Sequence, residues 1–281
     1  MRIGNIGGRL SVVSGERAWD VEASSGGLFS SDPQAVYSRW AEFSEWASGN
    51  LLSQPPSFSR DRLGPPAPRP AQVFAVGLNY RDHAAESGLA VPASPTVFTK
   101  FVSAIGPPAG DIILPSGDVD WEVELVVVMG RRARNVPASA AWGYVAGLTV
   151  GQDLSERRMQ LAGAAPQFSL AKSFPGFAPI GPWLVTPDEL DSVDDIEIGC
   201  SVNGEPMQKG RTRDLIFPVS DLIAYLSAVL TLLPGDVIFT GTPAGVGQGR
   251  SPQRFLAASD ELISYAAGIG EMRHRFTGPE P

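Results

Sequence analysis

Two glutamates inside an apolar, β-branched run constrain this chain more than any other feature. Glu122 and Glu124 lie in the segment 121–129, whose composition predicts a β-strand. Residues i and i+2 of a strand point to the same face, so the two carboxylates aim at one place. Two negative charges so close together repel each other, so one carboxylate would bind a proton unless a positive charge lies between them. The alternative is that both glutamates form the solvent-facing side of an antiparallel edge strand.

A third carboxylate, Asp153, follows another apolar segment at 144–150. Carboxylate ligands suit a hard divalent cation such as Mg²⁺ or Mn²⁺ better than Zn²⁺. The three acidic residues therefore predict a divalent-metal site, provided that the fold brings them together.

Composition and charge limit the class of protein. The chain has 281 residues, 43% of them hydrophobic and 19% charged, which is enough for a sizeable core. Its formal net charge of −8 argues against nucleic acid or an anionic membrane as a partner. Cys200 is the single cysteine and lies in a predicted strand, which favours a small core residue over a nucleophile. With no signal-like start and no apolar run long enough to cross a bilayer, we expect a cytoplasmic protein.

Prolines divide the chain into two parts. Residues 53–70 hold six prolines and no apolar periodicity, which is typical of an extended connector. Before this connector, apolar residues recur at helical spacing over 33–48. We therefore predict a small N-terminal domain with its connector at residues 1–70 and a larger domain at residues 71–281.

The larger part of the chain indicates a β-rich α+β fold. One long helix is predicted at 219–233, ended by Pro234-Gly235-Asp236, and Asn203-Gly204 predicts a hairpin turn. No regular strand–helix alternation suggests a doubly wound sheet. The predicted strands lie at 73–76, 96–102, 111–114, 122–129, 145–150, 183–185, 196–202 and 237–240.

A histidine and a glutamate one helical turn apart follow the first strand after the connector. His83 and Glu86 would share a helix face, so the carboxylate can orient and charge-stabilise the imidazole. An imidazole held in this way can act as a general base near neutral pH. The other histidine, His274, lies in a charged stretch near the C-terminus and is a weaker candidate. The alternative is a surface pair on a short helix.

Three further polar residues follow Asp153. Arg157 could clamp a substrate carboxylate with two hydrogen bonds, and Gln160, one helical turn later, could hydrogen-bond a carbonyl. Lys172 is flanked by apolar and tight-turn residues and could donate to an oxyanion. The alternative for all three is an ordinary solvated position.

A glycine-rich loop at 239–247 follows the last predicted strand. Its backbone N–H groups and the Thr242 hydroxyl could cradle a carboxylate. Its glycine spacing is not that of a dinucleotide fingerprint or a phosphate-binding loop. A serine hydrolase has no support either, because no serine lies in a G-x-S-x-G elbow.

In their order along the chain, these segments resemble the fumarylacetoacetate hydrolase (FAH) family. The resemblance runs from about residue 73 to the C-terminus, and the first seventy residues are similar to the small leading domain of many members. The matching pieces are Gly77-Leu78-Asn79-Tyr80 with His83 and Glu86, Glu122-x-Glu124-Leu125, Asp153 with Arg157 and Gln160, Lys172-Ser173-Phe174, Pro179-Ile180-Gly181-Pro182, and Pro234-Gly235-Asp236 with Thr240-Gly241-Thr242-Pro243.

The resemblance implies an FAH-type mixed β-sandwich roll and a homodimer. It also implies a small 2-oxo or 2,4-dioxo acid substrate, held on Mg²⁺ or Mn²⁺ (or Ca²⁺), under a lid that carries His83 and Glu86. The base would activate water or move a proton, and a lysine would stabilise the charged intermediate. The candidate site residues are then Glu122, Glu124 and Asp153 for the metal, His83, Glu86 and Lys172 for catalysis, and Arg157, Gln160 and Thr242 for substrate binding.

Three positions depart from the family pattern. Many members have aspartate where this chain has Pro175, asparagine where it has Gln152, and alanine where it has Glu156. We expect these positions to flank the pocket and to affect substrate identity, while the metal residues are intact.

The family contains hydrolases, decarboxylases, isomerases and hydratases, so the fold does not fix the reaction. We predict a divalent-metal-dependent hydrolase that cleaves the C–C bond of an acylpyruvate-like 2,4-dioxo acid. One alternative is an isomerase, decarboxylase or hydratase of 2-hydroxyhepta-2,4-diene-1,7-dioate-type substrates from aromatic degradation, or an oxaloacetate decarboxylase. An alternative of another class is a non-catalytic homologue that binds an oxo acid.

Overall fold

Strands dominate the structure, a computed structural model that describes residues 1–50, 54–86 and 88–278. The strands are β1 (Arg2–Ile6), β2 (Arg9–Ser14), β3 (Arg17–Asp20), β4 (Leu63–Gly64), β5 (Val73–Gly77), β6 (Thr96–Thr99), β7 (Ile105–Gly106), β8 (Ala109–Ile113), β9 (Val119–Asp120), β10 (Val123–Met129), β11 (Val145–Gln152), β12 (Ser155–Glu156), β13 (Ala178–Val185), β14 (Glu197–Val202), β15 (Glu205–Arg211), β16 (Val237–Phe239), β17 (Glu261–Ala266) and β18 (Gly270–Thr277). The α-helices are α1 (Val21–Ser24), α2 (Trp40–Asn50), α3 (Arg81–Glu86), α4 (Arg157–Gln160), α5 (Phe168–Ala171) and α6 (Val219–Val229).

Eleven strands form one large sheet. Its path is β3-β2-β1-β13-β11-β10-β16-β5-β6, with β4 paired to β1 and β7 paired to β13. Most neighbours are antiparallel, while β16 and β5 run parallel. Because β1 pairs with β13, the N-terminal strands extend the same sheet as the strands after the connector. The domain division at residue 70 stays a prediction.

A second sheet of five strands, in the order β15-β14-β17-β18-β8, covers one face of the large sheet. Alternate residues of β10, such as Leu125 and Val127, share a core with Ile198 and Leu262 of the second sheet. Residues in between, such as Val126, share another core with side chains of α2. A strand covered on both faces reads as a continuous apolar run, which explains the composition of β10. The predicted β-rich α+β sandwich is therefore confirmed.

Several predicted element bounds need correction. The predicted helix 219–233 ends at Val229, because Leu230 is extended and Leu232 pairs with Ala133 instead. The apolar pattern continued past the helix because Leu232 is also buried. The predicted strand at 122–129 begins at Val123. The predicted strand at 96–102 ends at Thr99, before a 3₁₀ turn at Val102–Ala104.

Other local predictions are confirmed. Asn203 and Gly204 have φ values of 52° and 81° at the β14–β15 hairpin, the left-handed backbone that this dipeptide favours. The predicted helix at 33–48 is a 3₁₀ turn, Ala35–Arg39, that leads into α2. Ser53, the first residue of the predicted connector, lies outside the described residues. Within the described ranges, none of the helices has the length and apolar character needed to cross a membrane.

Leu148 of β11 is fully buried between its sheet neighbours Val127 and Val185. We expect Leu148→Ala to lower the free energy of unfolding by about 2–5 kcal/mol, because it leaves a cavity between the two sheets. The matched control is Leu170→Ala, whose side chain is 67% exposed and whose effect should stay below about 0.5 kcal/mol. Urea unfolding measures both, and equal effects would contradict the described core.

Candidate metal and proton-transfer site

The three predicted metal residues converge at neighbouring strand ends. β10 and β11 are antiparallel with Glu124 opposite Gly151, and the Asp153 N–H donates to the Glu122 carbonyl at 2.9 Å. One oxygen from each carboxylate of Glu122, Glu124 and Asp153 lies within 4.8 Å of the others, and all three residues are buried. The solvent-facing alternative for the two glutamates is therefore wrong. These donors fit a hard divalent cation.

Two lysine ammonium groups lie among these carboxylates. Lys172 Nζ is 2.8 Å from an oxygen of Glu122 and 2.7 Å from an oxygen of Asp153. Lys100 Nζ donates to the other Asp153 oxygen at 2.5 Å and to the Lys172 carbonyl. Both lysines are almost fully buried, so the surface alternative for Lys172 is wrong. Lys100 was not among the residues predicted from the sequence, although a charged residue within the apolar run 96–102 is the same signal that singled out Glu122.

The protonation states of these groups differ. Burial, with the nearby charges of Asp153 and Glu122, raises the pKa of Glu124 well above its ordinary value. Burial acts in the same direction on Glu122, but the positive charges of Lys172 and Arg157 outweigh it and lower the pKa of that carboxyl. Although burial lowers the pKa of a lysine, Asp153 and Glu122 outweigh it at Lys172, whose pKa is raised. Lys172 is therefore held as an ammonium ion.

Glu124 is the carboxylate of the three that has no cationic partner among the described residues. Its hydrogen bond comes from the Gly241 N–H at 2.7 Å. A buried carboxylate without a positive neighbour is costly unless it binds a proton or a cation. The site therefore fits a metal ion by charge as well as by donor type.

Arg157 is buried and already engaged. Its Nε and Nη2 groups donate to one oxygen of Asp120 at 2.9 and 2.8 Å, and Nη2 lies 2.7 Å from Glu122. Nη1 donates to the Gln160 amide oxygen at 2.9 Å. The solvated-helix alternative is wrong, because Arg157 and Gln160 are both buried. Asp120 was missed by the sequence analysis, although it lies two residues before Glu122 in the same acidic run.

The glycine-rich loop does cradle carboxylates, but they belong to the protein. Three of its backbone N–H groups hold three different acidic side chains, each from another part of the chain. The Thr242 hydroxyl is also engaged, since it donates to the Val123 carbonyl at 2.9 Å. The three backbone contacts are Gly241 N–H to Glu124 at 2.7 Å, Gly245 N–H to Glu86 at 3.0 Å and Gly247 N–H to Asp120 at 2.7 Å.

His83 and Glu86 form a half-buried pair on α3. The Nδ1 of His83 lies 3.3 Å from Glu86, and His83 is 8% exposed, so the surface-pair alternative is wrong. Burial raises the pKa of Glu86, but the hydrogen bonds with His83 and the Gly245 N–H outweigh it, and the net pKa is lowered. Glu86 is therefore a charged partner for the imidazole.

A single cavity of about 410 Å³ joins this pair to the carboxylates. Asp153 is the one candidate residue that does not line the cavity. It lies behind Lys172 and Glu122. The candidate residues on its wall are His83, Glu86, Glu122, Glu124, Arg157, Gln160, Lys172 and Thr242.

None of the three unusual positions lines this cavity, although Gln152 directly precedes Asp153 and Glu156 directly precedes Arg157. The Gln152 side chain accepts from the Glu122 N–H at 2.8 Å and donates to Ser264 at 2.9 Å, which supports the metal residues from behind. Glu156 caps α4 by accepting from two backbone N–H groups of that helix. Gln152 and Glu156 therefore have structural contacts, and Pro175 lies outside the wall.

The chain is similar to several known proteins. The chain is 46% identical over 199 residues to the mitochondrial oxaloacetate tautomerase FAHD2A of Bos taurus, a match that covers 70% of this chain and 63% of the relative. The matched region thus spans less than two thirds of that protein. A crystal structure from Mycobacterium smegmatis, provisionally named an HpcE protein, is 57% identical, with a TM-score of 0.96 and full coverage of both chains.

A more distant structure carries ligands. The maleylpyruvate hydrolase of Sphingobium sp. SYK-6, solved with manganese(II) and pyruvate, is 27% identical, with a TM-score of 0.83 and full coverage of both chains. The family model for the C-terminal domain of fumarylacetoacetate hydrolase matches residues 72–277. The chain therefore belongs to the fumarylacetoacetate hydrolase family.

Proposed function

We propose that this protein is a divalent-metal-dependent enzyme that hydrolyses the C–C bond of an acylpyruvate-like 2,4-dioxo acid. The observation that carries the proposal is that His83 and Glu86 face the same cavity as Glu122 and Glu124. To deprotonate water next to a chelating oxo acid, an enzyme needs a general base and a set of oxygen ligands that face the same space. The volume of about 410 Å³ leaves room for an acyl group beyond the oxo-acid end.

Glu122, Glu124 and Asp153 would hold the metal, with Mg²⁺ or Mn²⁺ as the first candidates and Ca²⁺ as the third. The manganese and pyruvate in the Sphingobium hydrolase support this choice. When bound, the ion would supply Lewis-acid polarisation of the substrate's carboxylate and 2-oxo groups.

The side chains would divide the proton transfers among themselves. Because Nδ1 of His83 faces Glu86, Nε2 is the nitrogen left to take a proton from water and to return it to the substrate carbon. The charged Glu86 stabilises the imidazolium that forms. The Lys172 ammonium would stabilise negative charge on the substrate oxygen, and Arg157 with Gln160 would orient the oxo acid.

Keto–enol tautomerisation of oxaloacetate is the second candidate. It is favoured by the FAHD2A relative, whose name states that activity. Tautomerisation needs His83 to move a proton but needs no water, so the same residues could perform it. Isomerisation and decarboxylation start from the same chemistry. A homodimer and a cytoplasmic location stay predictions, and relatives such as FAHD2A are mitochondrial.

Turnover ranks the candidates. We expect the Mg²⁺-loaded protein to convert acetylpyruvate to acetate and pyruvate, and EDTA to abolish the reaction. His83→Asn should lower turnover by about 10²–10⁴-fold, because it removes the base but keeps a side chain of similar shape. The control is Glu45→Gln on the exposed face of α2. Turnover of oxaloacetate alone would favour the second candidate, and an unaffected His83→Asn would refute the assignment of the base.

Metal binding should be visible as stabilisation of the fold. At a Mg²⁺ or Mn²⁺ concentration about 100-fold above Kd, we expect the free energy of unfolding to rise by about 2.7 kcal/mol and the Tm to rise by roughly 5–10 °C. Glu124→Gln should lose this gain while the metal-free variant is at least as stable as the wild type, because burial disfavours the glutamate anion and a neutral amide avoids that cost. Thermal unfolding with metal or EDTA measures both effects. A Glu124→Gln protein that keeps the full shift contradicts the ligand assignment.

Metal affinity should rise with pH. Because the pKa of Glu124 is raised in the metal-free protein, a proton competes with the metal at pH values above the ordinary carboxyl range near ~4.3. The affinity is therefore lost as the pH falls through that raised pKa, and binding at lower pH releases a proton. Calorimetry in two buffers with different ionisation enthalpies measures the release. A pH-independent affinity without proton release would contradict the raised pKa of Glu124.

A further inference from the structure

The part of the cavity next to Lys172 is built from apolar side chains. The ring centroid of Phe98 lies 5.1 Å from Lys172 Nζ, and Phe168 packs edge-on against Phe98 with centroids 5.6 Å apart. The same cavity is also lined by Leu89, Leu161 and Val246, and we call these five apolar side chains the apolar wall. The uncharged polar side chains that line the cavity include Thr96, Gln248 and Gln253.

The cations on the cavity surface are already in use. Apart from His83, Arg157 and Lys172 are the basic side chains that line it within the described ranges. Arg157 is held by Asp120 and Glu122, and Lys172 by Glu122 and Asp153. Arg250 is close in sequence to the cavity but lies over the Trp121 ring and donates to the Met207 carbonyl. Both cations that line the cavity are therefore already paired with protein carboxylates, and the apolar wall adds no further positive group.

The buried charges around the metal residues are already paired with one another. Ion pairs join Lys100 to Asp153, Arg157 to Asp120 and Glu122, and Lys172 to Glu122 and Asp153. A second substrate carboxylate at the apolar wall would lie against apolar side chains without a cationic partner, and the loss of part of its hydration there is unfavourable.

We propose that this cavity selects 2-oxo acids with an uncharged, apolar far end over dicarboxylic 2-oxo acids of the same length. The inference rests on the proposed function for the placement of the oxo-acid end at the metal residues. It narrows the substrate to acylpyruvates with an aliphatic or aromatic acyl group, and it argues against dienedioate substrates.

A matched pair of inert acids tests the proposal without turnover. 2-Oxopentanoate and 2-oxoglutarate both have five carbons and differ by the terminal carboxylate, and neither carries the cleavable 2,4-dioxo group. By calorimetry on the Mg²⁺-loaded protein, we expect 2-oxopentanoate to bind at least about tenfold more tightly. Equal or tighter binding of 2-oxoglutarate overturns the inference and leaves the proposed function standing. If neither acid nor pyruvate binds, both are overturned.

An added cation should reverse the preference. Leu161 lines the cavity and is 50% exposed, so Leu161→Arg can place a guanidinium at the apolar wall without filling the core. We expect the affinity ratio to shift by about tenfold or more toward 2-oxoglutarate. Gln253→Arg, at a second exposed position on the cavity, repeats the test should the first variant fold poorly.

The control places the same charge outside the cavity. Leu170→Arg lies on α5 at a 67% exposed position that does not line the cavity, so it should leave the ratio unchanged. An equal shift in Leu161→Arg and Leu170→Arg would mean that the general field of the protein sets the preference. That result would overturn the inference, as would an unchanged ratio in folded Leu161→Arg and Gln253→Arg.

Discussion

Compensation of buried charge is the constraint on which the site depends. Four carboxylates and three basic groups lie together with little exposure to solvent, and nearly every one is held by an opposite charge. Removing a single member of such a cluster leaves its partner buried and unpaired. Glu124 is the exception, with a backbone N–H instead of a cation. The cluster is thus stable as a unit but incomplete by one positive group, which gives it a reason to bind a metal.

The two-layer fold makes this cluster possible. β10 lies inside the large sheet, with the second sheet on one face and α2 on the other, so its backbone is rigidly paired while its N-terminal end opens toward the cavity. β11 delivers Asp153 to the same place through its antiparallel register. The basic groups come from three other segments, since Lys100 follows β6, Arg157 begins α4 and Lys172 follows α5. Long-range pairing of strands therefore decides which charges meet.

Sequence patterns predicted what depends on local chemistry. Charged residues inside apolar runs pointed to Glu122 and Glu124, and helical spacing pointed to His83 with Glu86. Lys100 could not be paired with Asp153 in advance, because that contact joins residues 53 positions apart. The end of α6 was also misjudged, since an apolar pattern reports burial and not backbone conformation. The hydrogen bonds from the glycine-rich loop to the protein's own carboxylates could not be predicted from the sequence, because the fold brings these segments together.

That loop ties three tasks to one stretch of backbone. Through successive amide groups it fixes a metal residue, the partner of the proposed base and the partner of the buried arginine. Any insertion or deletion there would displace all three at once, so this segment has little freedom to diverge. New specificity within such a scaffold would have to arise at cavity positions outside this loop, such as Leu161 and Phe168.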